Sequence, residues 1–532
     1  METYNVILHK GVVYQSFWDD MESSDDGGKL YIPNRRVDSP NLRPNSPRQT
    51  WYTLSEEEVQ ALKNDDRVME VEIPPEFRDD IAIIPNSTQT GDFTKTSSDS
   101  GAYINWGLIR HKSKTNNYGS GTTTSENYSY SVDGTGVDIV IQDSGIQFDH
   151  PEFKADDSLA APRTVEIDWY DVSGLTGTQN VNHDRDLDGH GTHVAGIAAG
   201  KNHGVAKGAA IYAVKVNGLE GSTDSGTGIS ITDCFDVIKG WHNNKKTITP
   251  FRPTVVNMSW GYGSYFDSVT SLTYRGTSYT DSNTTSNASY RESNYGLVNN
   301  SGFPNSNYVV NVRIASVDTD VEELIDAGVV VTIAAGNRGN KIDVPGGTDY
   351  DNFVVTNVGT RYYHRGSSPY SDRAIMVGNM DSSVQSATLD RKATSSECGP
   401  GVDIYAPGTN IMSCTSTTNK WGSGSQNYYL NSSYRQTNIS GTSMASPQVV
   451  GVLALYLQVN PSATPAQAKE WLLNNAGSAI LNTGTGNDWT NDRSLKGGEA
   501  KVLFNKFNKA QGIVIQNPPT NLFSGGVSIT TK

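Results

Sequence analysis

Apolar residues in the first 80 positions recur in short runs that alternate with helical spacing. The runs predict strands and the apolar residues three and four apart predict helices; the strands are Tyr4–Leu8, Thr50–Leu54 and Val68–Ile73, and the first helix is Val12–Met21. A second helix is predicted after Ser55, because Ser55 and Glu58 have the spacing of a capping box. This order, similar to βαββαβ, predicts that residues 1–80 form a small α+β sandwich of the ferredoxin-like kind.

The pattern changes after residue 80. Residues 81–103 become rich in Ser, Thr, Gly and Asp, which predicts a linker. In residues 104–486, buried-type strands alternate with helices, and this alternation predicts an α/β fold with a parallel sheet between two helical layers. The strands are Val137–Gln142, Ala210–Val216, Thr254–Met258 and Val329–Ala334, and the helices are Val194–Ala199, Val321–Asp326 and Met444–Val459.

Two polar stretches without periodicity interrupt the α/β pattern. Residues 262–312 are rich in Ser, Thr, Asn, Tyr and Gly, and residues 346–373 are similar. Long stretches of this composition are typical of surface loops, so both are predicted to be insertions. Residues 487–532 are predicted to be a short C-terminal tail.

Composition narrows the classes of partner. The 532 residues carry a formal net charge of −15, which argues against nucleic acid as a partner. No apolar run reaches the roughly 18 residues that a membrane helix needs, so no membrane span is expected. The first residues lack a basic segment followed by an apolar one. This favours an intracellular or virus-particle location over secretion through a signal peptide.

The three cysteines are too few for a disulfide framework. Cys234, Cys398 and Cys414 are predicted to be buried or partly buried thiols. A bridge between Cys398 and Cys414 stays open as an alternative.

Three short motifs lie at strand ends and helix starts, where parallel-sheet enzymes place their sites. In VIQDSGI, an apolar strand ends at Asp143 before a glycine turn. In DGHGTHVAG, His190 stands between two glycines at the start of a helix. In SGTSMASP, Ser443 opens a long helix, whose first N–H groups favour developing negative charge.

Each of these residues has an ordinary structural explanation when it is taken alone. Asp143 is also typical of a turn, His190 of a structural or exposed histidine, and Ser443 of a helix cap. The pair His190 and His193 raises the question of a metal, but the HExxH pattern is absent.

Taken together, the three motifs resemble the Asp, His and Ser segments of the subtilisin-like serine proteases, the subtilases of peptidase family S8. The order Asp, His, Ser is that of subtilisin rather than of chymotrypsin or the α/β-hydrolases. Further segments resemble the same family: YINWGL from Tyr103, GVAKGAAIYAVKV from Gly204, VVNMSWG from Val255, GVVVTIAAGN from Gly328 and VDIYAPG from Val402.

The resemblance implies an endopeptidase that needs no cofactor for its chemistry and acts on polypeptides as a monomer. Ser443 is the implied nucleophile, His190 the general base and Asp143 the group that orients it. The Asn337 amide is implied as an oxyanion donor with the Ser443 N–H. Two segments are implied to bind the substrate backbone, and they are Ser259, Trp260 and Gly261, and Ala334, Ala335 and Gly336.

Two further expectations concern calcium and the N-terminal region. The short loop Gly200–Gly204, similar to that of proteinase K, makes the strong calcium site of many subtilisins doubtful. Asp184, Asp186 and Asp188 instead place oxygen ligands on alternate residues, so calcium there and a solvated acidic loop are the two hypotheses. The segment from Thr53 to Glu72 resembles the inhibitor pro-domain of subtilisins, which implies self-cleavage within residues 76–103. A catalytically idle subtilase-like binding module is the alternative function.

Overall fold

The structure is a computed structural model. It describes residues 1–22, 37–41, 43, 45–78, 81–85, 88–89, 105–117, 128, 130, 132–154, 162–216, 229–298, 308–386, 388–484 and 486–507. The rest of the predicted linker, residues 86–87 and 90–103, and the end of the predicted tail, residues 508–532, lie outside these residues.

The strands and helices of the described residues are numbered along the chain. The strands are β1 (Glu2–Leu8), β2 (Gln49–Leu54), β3 (Val68–Glu72), β4 (Ile81–Pro85), β5 (Thr88–Gln89), β6 (Asp138–Asp143), β7 (Thr164–Val165), β8 (Ala210–Lys215), β9 (Thr254–Met258), β10 (Trp260–Phe266), β11 (Val269–Tyr274), β12 (Thr277–Tyr279), β13 (Tyr308–Asn311), β14 (Val330–Ala334), β15 (Phe353–Thr356), β16 (Gly359–Tyr362), β17 (Ile375–Met380), β18 (Ile404–Pro407), β19 (Ile411–Thr415), β20 (Gln426–Tyr428) and β21 (Asn431–Ser440). The helices are α1 (Tyr14–Glu22), α2 (Glu56–Leu62), α3 (Gly107–Arg110), α4 (Trp169–Ser173), α5 (His190–Ala199), α6 (Ile231–Lys245), α7 (Ser282–Ser286), α8 (Ala288–Tyr295), α9 (Ala315–Asp326), α10 (Thr442–Val459) and α11 (Pro465–Asn475).

The N-terminal domain is an antiparallel sheet of order β2-β1-β3 with its own apolar core. As predicted, Ser55 caps α2 and Glu58 completes the capping box. The described residues form three strands, not the four of a ferredoxin-like sandwich. Asn41 adds an isolated β-bridge to Trp51 of β2, but no further strand. The described residues therefore match the βαβαβ part of the ferredoxin-like prediction and not its fourth strand.

The central sheet has the parallel order β18-β17-β14-β9-β6-β8-β7. Four of its five inner strands, β17, β14, β9 and β6, are buried along their whole length, which explains why they appear in the sequence as continuous apolar runs. Helices α5 and α10 pack together, and α6 packs against α9. The α/β prediction is confirmed. Among the described residues, none of the helices is long and apolar enough to cross a bilayer.

The two predicted insertions carry regular structure, which corrects the prediction of irregular loops. Strands β11 and β12 of the first pair with β15 and β16 of the second, in the antiparallel order β12-β11-β15-β16. Polar side chains dominate these strands because one face of such a sheet meets water, and this composition hid them from a search for apolar runs.

Two predicted boundaries and one bridge are also corrected. The predicted linker contains β4 and β5, which pair with β10 and β21 of the α/β domain. The predicted tail is part of that domain up to residue 507, because Leu495, Val502 and Phe507 are buried in its core. The three cysteines are buried and none forms a disulfide, so the Cys398–Cys414 bridge is absent.

Candidate active site

Asp143 and His190 meet at the carboxyl edge of the central sheet. Strand β6 ends at Asp143 and helix α5 begins at His190. His190 Nδ1 lies 2.7 Å from Asp143 Oδ1, and both side chains are buried. A carboxylate accepts, so Nδ1 carries the proton and donates it, and Nε2 is left as the basic nitrogen of the neutral ring. Among the residues that the structure describes, Nε2 has no hydrogen-bond partner.

A hydrogen-bond network that the sequence analysis did not identify fixes the start of α5. Asp186 accepts from the N–H groups of Gly189 and Thr192, at 2.7 and 2.9 Å, and from the Thr192 and Ser144 hydroxyls. Ser144 Oγ in turn accepts from Gly191 N–H at 2.9 Å. These contacts tie the end of β6 to the first turn of α5, and thereby hold His190 against Asp143.

Gly191 is required by the close approach of these two segments. A Cβ at this position would lie 2.1 Å from the Gly145 carbonyl oxygen. The glycine that follows His190 in the sequence motif therefore has a steric reason.

Ser443 lies in the first turn of α10 and is buried. Its Oγ donates to the carbonyl oxygen of Ser259 at 3.1 Å, and Ser259 Oγ donates back to the Ser443 carbonyl at 3.2 Å. The Ser443–His190 hydrogen bond expected of a nucleophile and its base is not made in this rotamer. Such contacts are often long or misaligned before substrate binds.

Asn337 follows β14 and contacts the residue before Ser443. Its Oδ1 accepts from Thr442 N–H at 2.9 Å and from Thr442 Oγ1 at 3.1 Å. Its Nδ2 is buried and makes no hydrogen bond to any described part of the chain. One end of the amide thus fixes its orientation, while the other end is an unused donor next to the start of α10.

The six residues implied to bind substrate backbone lie on neighbouring chain segments. Strands β9 and β14 are parallel neighbours, with Met258 opposite Ile333, so Ser259 and Ala334 follow at the same edge of the sheet. Trp260 and Gly261 open β10, whose edge is occupied by β4 in antiparallel pairing. On the other segment, Ala335 N–H donates to the Val377 carbonyl oxygen and Gly336 N–H to Thr442 Oγ1.

In the acidic loop before His190, the side chains of Asp186 and Asp188 bind donor groups of the protein and do not converge on a shared metal position. Asp186 is occupied as described above, and burial together with the Asp188 charge raises the pKa of Asp186 to about 6. Asp188 pairs with Lys420 at 2.9 Å, and burial raises the pKa of Asp184. In the described part of the chain, no three His, Cys, Asp or Glu side chains are grouped for a metal ion. Calcium at this loop stays a prediction.

His193, the second histidine of the motif, is buried away from the base. Its Nε2 lies 3.0 Å from the Thr437 carbonyl oxygen. Burial lowers the pKa of His193 to about 3, which keeps the ring neutral.

The N-terminal domain contacts the α/β domain through groups that sequence patterns did not reveal. Glu72 accepts from the N–H groups of Ser316 and Ala315, at 2.9 and 3.3 Å, at the start of α9. A carboxylate at a helix N-terminus is electrostatically favourable. The second contact is Arg43, which reaches α6 and α9. Arg43 comes from residues 22–48, where resemblance to pro-domains is lost, so the sequence offered no signal for it.

Comparisons with known proteins agree with this geometry. A sequence profile of the Subtilase family matches residues 134–512. The chain is 28% identical to the subtilisin-like serine protease Pen c 2 of Penicillium citrinum, over 76% of this chain and 67% of that protein. It is also 28% identical to an extracellular serine proteinase of Thermus sp. (strain Rt41A), over 79% of this chain and 68% of the other.

Among solved structures, the fold matches fervidolysin from Fervidobacterium pennivorans, a keratinolytic enzyme related to subtilisin. The TM-score is 0.54 at 17% identity, over 95% of this chain and 60% of the other. At this identity the match concerns the fold alone.

Proposed function

The chain belongs to the subtilase family of serine proteases, and from this premise we propose that Asp143, His190 and Ser443 are the catalytic triad of an active endopeptidase. The observation that carries the proposal is the buried 2.7 Å contact between His190 and Asp143, which leaves Nε2 basic and without a partner. A histidine and an aspartate that served only as exposed surface residues would not need to be buried in contact with each other.

The proposed reaction is acyl transfer from the substrate to Ser443. Ser443 Oγ turns from the Ser259 carbonyl to His190 Nε2, loses its proton to that nitrogen and attacks the scissile carbonyl carbon. His190 then gives the proton to the leaving amine, and Asp143 stabilises the imidazolium in between. Water, activated by the same histidine, hydrolyses the ester and restores Ser443.

The negative charge of the tetrahedral intermediate is proposed to rest on two donors. One is the Ser443 N–H at the start of α10, and the other is Asn337 Nδ2, which has no partner in the structure. Donors fixed in a buried site stabilise developing charge without reorganising, which is why they contribute strongly to catalysis.

The alternative of a catalytically idle module has no observation in its favour. Nucleophile, base, orienting acid and amide donor are all present, and three of the four are buried at the same edge of the sheet.

The N-terminal domain is proposed to act as an inhibitor that the protease removes from itself. Strand β4, directly after this domain, occupies the edge of β10. An extended chain added to a sheet edge is how a peptide substrate binds by main-chain hydrogen bonds. The domain therefore holds its own C-terminal segment where a substrate would lie.

The test of the triad is a pair of serine variants in α10. Ser443→Ala is expected to lower kcat on a peptide substrate by about 10⁶-fold, the loss measured in subtilisin itself when its nucleophile is removed. Ser446→Ala is the matched control, since Ser446 is buried one turn further on and contacts Thr332 at 3.1 Å. Ser446→Ala should keep its activity. Residual activity of Ser443→Ala above a few per cent, with contaminating proteases excluded, would contradict the triad.

A further inference from the structure

Strand β10 continues past the residues that are implied to bind the substrate backbone. Those residues end at Gly261, whereas β10 runs on to Phe266. The added part belongs to the first of the two insertions, residues 262–312. The end of the same insertion supplies β13, which pairs with β10 from Gly263 to Phe266. The insertion therefore lengthens the strand that forms the substrate edge.

Strand β4 follows this lengthened edge. Its antiparallel pairing with β10 runs from Trp260 to Ser264, with Ile84 opposite Gly261 and Ala82 opposite Gly263. An extended chain on this edge thus lies beside β10 well beyond Gly261. On the proposed function, β4 lies where a substrate would lie, so a long substrate follows the same edge in the processed protease.

The direction of the backbone groups shows which residues of β10 can pair with that chain. The Tyr262 carbonyl oxygen accepts from Val312 N–H at 3.2 Å, so it points towards β13 and away from β4. Successive residues of an antiparallel strand direct their N–H and C=O groups to opposite edges. The groups of Gly261 and Gly263 therefore point towards β4.

The position of Pro85 agrees with this alternation. Pro85 lies opposite Trp260, whose backbone groups point away from β4 by the same rule. A residue without an N–H loses no hydrogen bond at such a position. The hydrogen-bonded pairs of this ladder are thus those of Gly261 and Gly263.

From this alternation we infer that Gly263 is a second substrate-binding residue of β10. Its N–H and carbonyl oxygen pair with a substrate residue two positions nearer the substrate N-terminus than the one that pairs with Gly261. The inference rests on the proposed function and adds a substrate class to it, namely extended polypeptides long enough to reach Gly263. A peptide that ends opposite Gly261 leaves this position empty.

The far end of β10 is held in place without the substrate. Trp260, Tyr262 and Phe266 are buried in the core of the domain. Arg361 of β16, from the second insertion, donates to Ser264 Oγ at 2.7 Å. A strand that is already fixed loses little freedom when a peptide pairs with it. The hydrogen bonds at Gly263 should therefore contribute to kcat/KM.

The experiment scans a peptide substrate with single backbone N-methyl groups. Mass spectrometry first locates the bond that the active wild type cleaves in a peptide long enough to span β10. Each residue before that bond is then N-methylated in turn, which removes one donor and blocks pairing. The residues opposite Gly261 and Gly263, two positions apart, should each lose roughly 2- to 10-fold or more in kcat/KM. N-methylation opposite Ser264 should have no effect, because that N–H points away from β10.

Two variants assign the outer of these two effects. Gly263→Pro removes the N–H on the edge that faces the substrate and none that faces β13, a placement that strands tolerate. It should abolish the outer effect and keep the inner one. Ser264→Ala is the control, since the backbone groups of Ser264 point towards β13, and it should keep both effects. Each effect is a ratio within one protein, so a less active variant still gives an answer.

The outcomes separate the role of Gly263 from the proposed function. A wild-type scan without the outer effect would overturn this role, and so would an outer effect that Gly263→Pro leaves unchanged. In both cases peptides are still hydrolysed and the triad stands. If Gly263→Pro does not fold, the wild-type scan alone decides. If wild type hydrolyses no peptide at all, the proposed function fails and the inference fails with it.

Discussion

At the scale of single residues, the amide of Asn337 shows how one side chain is both anchored and available. Its oxygen accepts two hydrogen bonds from Thr442, and its nitrogen is left as an unsatisfied buried donor. Leaving a buried donor without a partner costs free energy in the resting protein. In the proposed oxyanion role, the donor gains its partner only when an oxyanion forms, which is the condition for lowering the barrier rather than tightening substrate binding.

This division of the amide predicts the effect of Asn337→Asp. The variant keeps an oxygen for Thr442 but replaces the donor by an acceptor, so kcat should fall by about 10²–10³ or more, a range carried over from subtilisin, while KM changes little. Steady-state kinetics on a peptide substrate measures both constants. A change confined to KM would show that Asn337 binds substrate in the ground state and would remove it from the oxyanion role.

The candidate site residues could be proposed from the sequence because each lies in a short motif with local requirements. His190 needs a glycine at position 191, where the Gly145 carbonyl would meet any Cβ at 2.1 Å. The hydrogen bonds of Asp186 could not be predicted from the sequence. They join Ser144, after β6, to the start of α5, and these two segments meet only in the folded protein. The orientation of Ser443 towards Ser259 was likewise beyond any motif.

At the scale of elements, helices α6 and α9 form the surface on which the N-terminal domain docks. Arg43 is fully buried there, and its guanidinium donates to Asp236 at 3.1 Å and to Asp320 at 2.8 Å. It also donates to the Thr232 carbonyl oxygen at 2.9 Å. Gln49 adds a contact to Asp320 at 3.0 Å. The two carboxylates are buried, so each depends on this one cation.

Removing that cation should weaken the hold of the N-terminal domain. Arg43→Met leaves Asp236 and Asp320 buried without a counter-charge, which typically costs about 3–5 kcal/mol, or about 10²- to 10⁴-fold in affinity. After processing, the N-terminal fragment of the variant should leave the protease on dilution, and full activity should appear sooner than in wild type. Size-exclusion chromatography measures the release, and the time course of peptide hydrolysis measures the onset of activity.

The control for Arg43→Met is an exposed ion pair across the same interface. Lys10 and Asp326 lie 2.8 Å apart with exposed side-chain fractions of 61% and 37%. Such pairs contribute about 0–1 kcal/mol, so Lys10→Ala should behave nearly as wild type. If the Arg43→Met fragment stays bound as firmly as the wild-type fragment, the ion pairs of Arg43 do not contribute to the binding of the N-terminal domain.

The elements predicted well are those whose own apolar pattern decides their structure. Strand β9 has its predicted bounds, β6 is shifted by one residue, and β14 begins one residue later than predicted and ends where predicted. Strand β4 was assigned to a linker although it contains three isoleucines, because it is a strand only through its pairing with β10. The sheet built from the two insertions was missed for the same reason, since β11 meets β15 about eighty residues later in the chain.

At the scale of the whole molecule, the fold brings the candidate site residues together and also lays β4 and β5 beside them. Asp143, His190, Asn337 and Ser443 come from four elements that converge only at the carboxyl edge of the central sheet. The N-terminal domain rests on α6 and α9 and sends β4 and β5 along the same edge. On the proposed function, the chain is a latent protease whose first substrate is itself.

The most direct measurement of the central claim is the site of covalent labelling by a fluorophosphonate. The probe bonds only to a serine that a neighbouring base activates, and peptide mass spectrometry locates the adduct. The account predicts one labelled residue in the processed wild type, Ser443, and no adduct in His190→Ala. An adduct on a different serine, or none in a preparation that hydrolyses peptides, would contradict the triad.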